Sequence, residues 1–146
     1  MRRARTASKL PRREAGAAMA EFALIAPLLL MLLLGVVGLG WALYTYNFVA
    51  DAASQAVRYA IVRGADCNSW GSACPASAAD IQDYVQSLVP AAINAADVTA
   101  TTTWTPDNSP GSNVKVTVTY SFTLSIPLMP DAVLPMQSAA QMVISQ

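Results

Sequence analysis

Residues 22–43 read FALIAPLLLMLLLGVVGLGWAL, an almost continuously apolar run without a charged side chain. An α-helix rises about 1.5 Å per residue, so these 22 residues span roughly 33 Å, close to the ~30 Å hydrocarbon core of a bilayer. Pro27 and the three glycines of the run weaken a helix in water. They are tolerated in a membrane, because lipid offers the backbone no other hydrogen-bond partner. The run therefore predicts one transmembrane helix.

Charge is distributed unequally on the two sides of this run. Residues 1–16 carry six basic side chains and one acid, a net +5, and the remaining residues carry three basic and eight acidic side chains, a net −5. Basic flanks stay in the cytoplasm, and Trp41, Tyr44 and Tyr46 are typical of the opposite membrane interface. We expect residues 1–16 to form a basic cytoplasmic leader, residues 17–43 the transmembrane helix, and residues 44–146 an extracytoplasmic part.

A cleaved secretory signal peptide is the competing interpretation of the same run. Gly38-Leu39-Gly40 supplies small residues of the kind found at such a cleavage site, and this interpretation predicts a mature N-terminus at Trp41. Signal peptides usually carry an apolar region of about 7–15 residues, which this run exceeds. The sequence also continues as a helix beyond Gly40, which favours a retained membrane helix.

The composition argues against an enzyme. Hydrophobic residues make up 54% of the chain, charged residues 12%, and there is no histidine. Ser-His-Asp and Cys-His catalysis and histidine metal sites are therefore excluded, and the acidic outward part lacks a nucleic-acid-binding charge pattern. No phosphate-binding loop or catalytically spaced carboxylate pair is found. We expect no catalytic residue, cofactor, metal site, nucleic-acid partner or small-molecule substrate.

The segment after Tyr44 continues as an amphipathic helix. Its apolar residues recur at steps of three and four, while Asp51 and Arg58 line another face. We expect the apolar stripe to pack against the chain's own sheet. The stripe consists of Val49, Ala53, Ala56, Val57 and Ala60.

Two cysteines, Cys67 and Cys74, flank a turn-rich loop in the outward part. Outside the cytoplasm such a pair predicts a structural disulfide. Two thiols without histidine are too few for a typical zinc site, and six intervening residues do not fit a thioredoxin-type redox pair, which has two.

The remainder of the chain predicts a second helix and then strands. Ser77 and Asp80 form a capping-box-like start, and the expected apolar face holds Ile81, Val85, Leu88 and Ala92, with Pro90 ending or kinking the helix. Strict alternation then predicts strands at residues 98–105 and 114–126. Three prolines, Pro127, Pro130 and Pro135, are expected to break the chain before a last strand with Met136, Ala140, Met142 and Ile144 on one side. The threonine-rich faces of the sheet are either solvated or presented to partners.

Residues 13–24, REAGAAMAEFAL, followed by Pro27 and the leucine run, resemble the N-terminus of the TadE-like pseudopilins of tight-adherence (Flp) pilus assembly. Residues 44–47, YTYN, and 52–60, AASQAVRYA, resemble the same family's helix beyond the membrane. The expected architecture is α+β and pilin-like: a long N-terminal transmembrane helix packed on a small antiparallel sheet of about three strands.

The resemblance implies processing and assembly through the N-terminal helix. A prepilin peptidase would cut between Gly16 and Ala17, so that Glu21 becomes the fifth residue of the mature chain. Glu21 would then pair with the N-terminal amine of a neighbouring subunit, because neither charge is stable alone in low dielectric. The implied partners are the membrane, a prepilin peptidase, and other pilins or pseudopilins.

Phe22 departs from the tyrosine that usually follows this glutamate in Flp pilins. This departure and the length of the chain favour a minor pseudopilin of the bacterial inner membrane, acting in pilus assembly and adhesion, over the major pilin subunit. The alternative is a single-span membrane-anchored protein that retains its leader and carries an extracytoplasmic binding domain. Glu21 and Phe22 are the residues expected to act in assembly.

Overall fold

The computed structural model describes residues 12–67, 73–125 and 130–145, with side chains from Gly16 onward. Residues 1–11 of the expected leader, the loop 68–72, Ile126 and Pro127 lie outside the described residues. The expected α+β architecture, a long helix on a three-stranded antiparallel sheet, is confirmed. Its elements in chain order are α1 (Arg12–Ile61), α2 (Ala78–Ser87), a 3-10 turn (Ala95–Asp97), β1 (Val98–Thr105), β2 (Asn113–Leu124) and β3 (Ala132–Val143).

The sheet has the order β1-β2-β3, with β2 in the centre and both neighbours antiparallel to it. The predicted alternation is confirmed on β2, where Val114, Val116 and Val118 are fully buried and Lys115 on the other face is exposed. The turn before β2 contains Gly111 at φ 89°, a left-handed conformation that favours glycine. One face of the sheet is therefore largely apolar and needs a covering layer.

Helix α1 covers the apolar face over β2 and β3. The predicted stripe of α1 is buried, and Ala52 joins it. Alanines dominate this face, so the helix backbone approaches the sheet closely, and the valines of β2 fill the space that larger helix residues would occupy. The buried stripe comprises Val49, Ala52, Ala53, Ala56, Val57 and Ala60.

Both ends of this helix–sheet contact are held. At one end, the backbone N–H of Ser145 donates to the carbonyl of Ile61 over 3.1 Å, which satisfies a helix-terminal acceptor. At the other end, a Cβ added to Gly38 would lie 2.8 Å from a methyl of Leu124. The helix rises about 35 Å between Gly38 and Ile61, and the 12 residues of β2 extend about 37 Å. The strands therefore accompany the helix over this whole distance.

Helix α2 covers the apolar face over β1. Ser77 caps it: its hydroxyl accepts from the Asp80 N–H, and its own N–H donates to the Asp80 carboxylate over 2.8 Å. Hydrogen bonds from the Ser77 hydroxyl, and then from its N–H, hold the pKa of Asp80 below its ordinary value. The predicted capping box is confirmed, and Ile81 and Val85 are fully buried.

The predicted extent of this helix is too long at its C-terminal end. The last helical residue is Ser87, Leu88 is the half-buried cap, and Ala92 is exposed in the turn that follows. Pro90 disfavours helical conformation in the residue before it, so the chain leaves the helix early. Ile93, rather than Ala92, is the buried side chain of this segment.

A glutamine of α2 covers the free edge of β1. The amide of Gln82 donates to the carbonyl of Val98 over 2.9 Å and accepts from the N–H of Ala100. These two bonds replace those that a further strand would make. The β1 edge is therefore capped by this chain's own side chain at Val98 and Ala100.

Strand β3 begins earlier than predicted. Pro135 was expected to precede the strand, but it lies inside β3 and pairs with Ser121 of β2. β3 is an edge strand, where the missing N–H of a proline can face away from the ladder without costing a hydrogen bond. The four residues Ala132–Pro135 therefore lengthen the β2–β3 hairpin.

We expect Ala56→Leu to lower the free energy of unfolding by about 1–3 kcal/mol, because the added atoms have no space between α1 and the sheet. Urea unfolding of the full chain in detergent, followed by circular dichroism, measures this. Arg58→Leu, at an exposed position on the same helix, is the control and should leave stability nearly unchanged. Equal stability of the two variants would contradict the packing described here.

We expect Gln82→Ala to lower the free energy of unfolding by about 1 kcal/mol, because two edge groups of β1 lose their partner and return to water. The same unfolding assay measures it. Gln86→Ala on the same helix is the matched control, because the Gln86 side chain makes no hydrogen bond to any residue that the structure describes. A Gln82→Ala variant as stable as the control would show that the edge contact contributes nothing.

Candidate functional site

The N-terminal half of α1 extends away from the sheet. Among residues 16–33, none is buried, and large apolar side chains are exposed on every side of the helix. A helix over residues 16–61 is long and apolar enough to cross a membrane, with a mean hydropathy of 2.7 in its most apolar window. Such a surface is stable only against lipid or other apolar helices. The helix therefore supports single-pass membrane anchoring.

The residues expected to act in processing and assembly all lie on this exposed half. Gly16, Ala17, Glu21 and Phe22 are helical and exposed, and Phe22 is 73% exposed. A Cβ added at Gly16 would meet no atom within 4 Å. Ala17 and Glu21 are four residues apart, so they share one face of the helix. Their roles stay predictions, and the structure places all four where another molecule could reach them.

Glu21 has no basic residue near it on its C-terminal side. The next basic residue in the C-terminal direction is Arg58, which lies about 55 Å further along the helix. On the N-terminal side, Arg12 and Arg13 belong to the leader that the resemblance removes. A carboxylate at the edge of an apolar helix is stabilised either by the headgroup layer or by an opposite charge nearby. If the leader is removed, a new N-terminus is one source of such a charge.

An apolar stripe begins directly beside Glu21. Its members recur at helical spacing and line a shallow groove on one face of α1. Ala26, a small residue, lies in the middle of the groove, and close packing between membrane helices favours small residues at such positions. The groove is lined by Phe22, Ile25, Ala26, Leu29, Leu30 and Leu33.

The helix changes environment between Leu34 and Thr45. Trp41 and Tyr44 stack with ring centroids 5.3 Å apart, while Ala42 and Thr45 are buried against the domain. The Thr45 hydroxyl donates to the carbonyl of Trp41 over 2.9 Å, which satisfies this buried polar group. The aromatic pair therefore lies where the lipid-exposed part of α1 gives way to the sheet-covered part.

Comparison with known protein families assigns this helix. Residues 16–58 match the TadE-like protein family. The resemblance seen in the sequence is thereby confirmed over these residues. Comparison of the chain with curated proteins and with solved structures gives no match.

The TadE-like match lies within α1. It begins at Gly16, the residue before the expected cleavage, and it ends at Arg58, three residues before the last helical residue. It therefore includes the exposed half of the helix, Glu21 and most of the alanine stripe. The sheet lies outside the matched residues, so its description rests on this chain's own structure.

Two residues that matter for the packing of the sheet were not predicted from the sequence. Gly38 permits the approach of Leu124, and Gln82 covers the β1 edge. Gly38 is one of three glycines in an apolar run, and a glycine there is also common in membrane helices. The sequence gives no signal that distinguishes it from Gly35 or Gly40.

A disulfide lies at the end of α1 far from the membrane segment. Cys67 and Cys74 are joined, with their Cα atoms 5.8 Å apart, which agrees with the expectation from sequence. Backbone hydrogen bonds flank it, from Cys67 to Gly64 over 3.2 Å and from Ala76 to Arg63 over 3.0 Å. The disulfide therefore holds the chain reversal between α1 and α2.

We expect the double variant Cys67→Ser/Cys74→Ser to lower the free energy of unfolding by about 2–3 kcal/mol, because the unfolded chain regains the entropy of a short closed loop. Unfolding of the oxidised chain with and without a reducing agent measures this. The reducing agent should reproduce the effect in the unsubstituted chain and leave the double variant unchanged. Equal stability with and without reduction would assign the disulfide no structural role.

Proposed function

We propose that the chain is a minor pseudopilin of a tight-adherence (Flp-type) pilus system, processed after Gly16 and acting in pilus assembly and adhesion. The TadE-like match associates it with Tad pili. The observation that carries the proposal is the exposed half of α1, an apolar helix with Glu21 at its N-terminal end. This half lies inside the matched residues, and no other described part of the chain covers it. A subunit assembled through helix packing needs such a surface.

In this proposal the mature N-terminus and Glu21 act together. Peptidase cleavage leaves an ammonium group on Ala17. The Glu21 carboxylate of one subunit then pairs with the Ala17 ammonium of its neighbour, and both charges are stabilised relative to their unpaired state in a low-dielectric medium. The apolar stripe beginning at Phe22 packs against neighbouring helices, and the ion pair sets the axial register between them.

The α+β part would remain outside the inner membrane, with the basic N-terminus in the cytoplasm. The outer face of its sheet is polar, with exposed threonines at positions 99, 101, 103 and 105, Lys115, and glutamines at 137 and 141. We assign this face to partner recognition or adhesion, and we propose a structural rather than a catalytic role. The absence of histidine from the chain supports that assignment.

We expect Glu21→Ala to abolish or strongly reduce pilus assembly in the native bacterium while leaving the protein in the membrane fraction. The substitution removes the charge partner without reducing the hydrophobicity of the helix. Counting pili by electron microscopy and fractionating membranes measure the two effects separately. Asp51→Asn, an exposed acid on the same helix beyond the membrane segment, is the matched control and should assemble normally.

An unchanged pilus count in the Glu21→Ala variant would contradict the proposed role. It would favour the alternative of a single-span anchored protein with a retained leader and an extracytoplasmic binding domain. Loss of the variant from the membrane fraction would also contradict the proposal, because the role of Glu21 would then be in insertion.

A further inference from the structure

The β2–β3 hairpin extends beyond the rest of the sheet. β1 pairs with β2 only as far as Val98 and Tyr120, whereas β2 and β3 continue to pair as far as Leu124 and Ala132. We call the two-stranded extension, Ser121–Leu124 and Ala132–Pro135, the hairpin arm. It lies at the end of the sheet opposite the Ile61–Ser145 contact, which is the end nearer to the exposed half of α1.

The arm contacts α1 within the apolar run. Phe122 is buried and Leu124 half-buried, and Leu124 lies so close to Gly38 that an added Cβ would require the end of the Leu124 side chain to shift. Gly38 precedes Trp41 by one helical turn, about 4.5 Å. The arm therefore reaches the helix on the membrane side of the aromatic pair Trp41–Tyr44, at a level where the sequence predicts lipid.

The arm is uncharged and exposes large apolar side chains beside the exposed hydroxyls of Ser121 and Thr123. Its eight residues include no charged and no amide side chain. Val133 is 62% exposed and Leu134 41% exposed. An open groove of about 420 Å³ lies between the helix-facing side of the arm and α1, lined mainly by apolar side chains including Leu34, Val37 and Trp41. This side of the arm, where Leu134 lies, is thus continuous with the apolar surface of the membrane helix, and Val133 lies on the opposite face.

We propose that the hairpin arm lies in the outer lipid interface of the membrane, with Val133 and Leu134 in contact with lipid, and that it fixes Gly38 as the level at which α1 leaves the hydrocarbon. The occupant of this surface is a lipid layer. The proposal requires only that α1 crosses a membrane, and it concerns the chain while it lies in that membrane.

Asp131 limits the depth of the arm. It is exposed and directly precedes β3, at the membrane-proximal end of the arm, and a carboxylate there has to remain among the headgroups. A hydrocarbon core of about 30 Å then takes up roughly the 20 residues before Gly38. Its inner boundary falls near Ala18, so Glu21 lies about one turn inside the hydrocarbon. The membrane span is thereby shifted toward the N-terminus relative to residues 22–43.

Photocrosslinking from two valines of β3 tests the proposal. Val133 and Val143 lie on the same face of the same strand, with similar exposure of 62% and 56%, but at opposite ends of the sheet. The full chain, with p-benzoylphenylalanine replacing one or the other, is reconstituted in vesicles of phosphatidylcholine and phosphatidylglycerol and irradiated. We expect several-fold more lipid adduct, measured by mass spectrometry, at position 133 than at the control position 143.

Two results would overturn the proposal. Equal lipid adduct at the two positions would place the arm in water, and crosslinking of position 133 mainly to another copy of the chain would make the surface a subunit interface. Leu134 provides a second labelled position on the other face of the arm, so that the result does not depend on one variant. Each labelled protein should have the same unfolding midpoint as the unsubstituted chain, which shows that it is folded.

Discussion

The packing of the alanine-rich face of α1 against β2 and β3 is the contact on which the rest of the structure depends. A sheet of three strands has one apolar face and cannot bury it alone, and α1 is the longest element available to cover it. Because Ala52, Ala53, Ala56 and Ala60 are small and fully covered, the helix lies close to the valines of β2. The sheet therefore depends on the same helix that continues into the membrane segment.

One helix thus serves two environments with different residue types. Its sheet-covered part carries small side chains on the contact face, whereas its exposed part carries large apolar side chains all round, the composition expected of a helix surrounded by lipid and other helices. The contacts at Ile61 and Gly38 hold the sheet along α1 at both ends. Any neighbour that sets the position of the N-terminal half, through Glu21 or the stripe beside it, therefore also sets the position of the sheet and of its polar outer face.

Local sequence patterns predicted much of this fold. They missed the features that depend on contacts between residues distant in sequence. The alternation of β1 and β2, the stripe on α1, the capping box at Ser77 and the disulfide were all readable from sequence. The start of β3 was not, because Pro135 is tolerated only at an edge, and strand order is not visible in one sequence. The roles of Gln82 and Gly38 were equally hidden, since each depends on a partner 16 or more residues away in sequence. The family match supports the segment around Glu21, and the action of that residue stays a prediction.

We propose that the chain before Ala17 is a leader and that the exposed helix begins the mature subunit. The most direct test is the N-terminal mass of the membrane-extracted protein, with and without a co-expressed prepilin peptidase. We expect loss of residues 1–16 only when the peptidase is present. An intact chain under both conditions would contradict it in favour of a plain membrane anchor, and a new N-terminus at Trp41 would contradict the membrane helix itself.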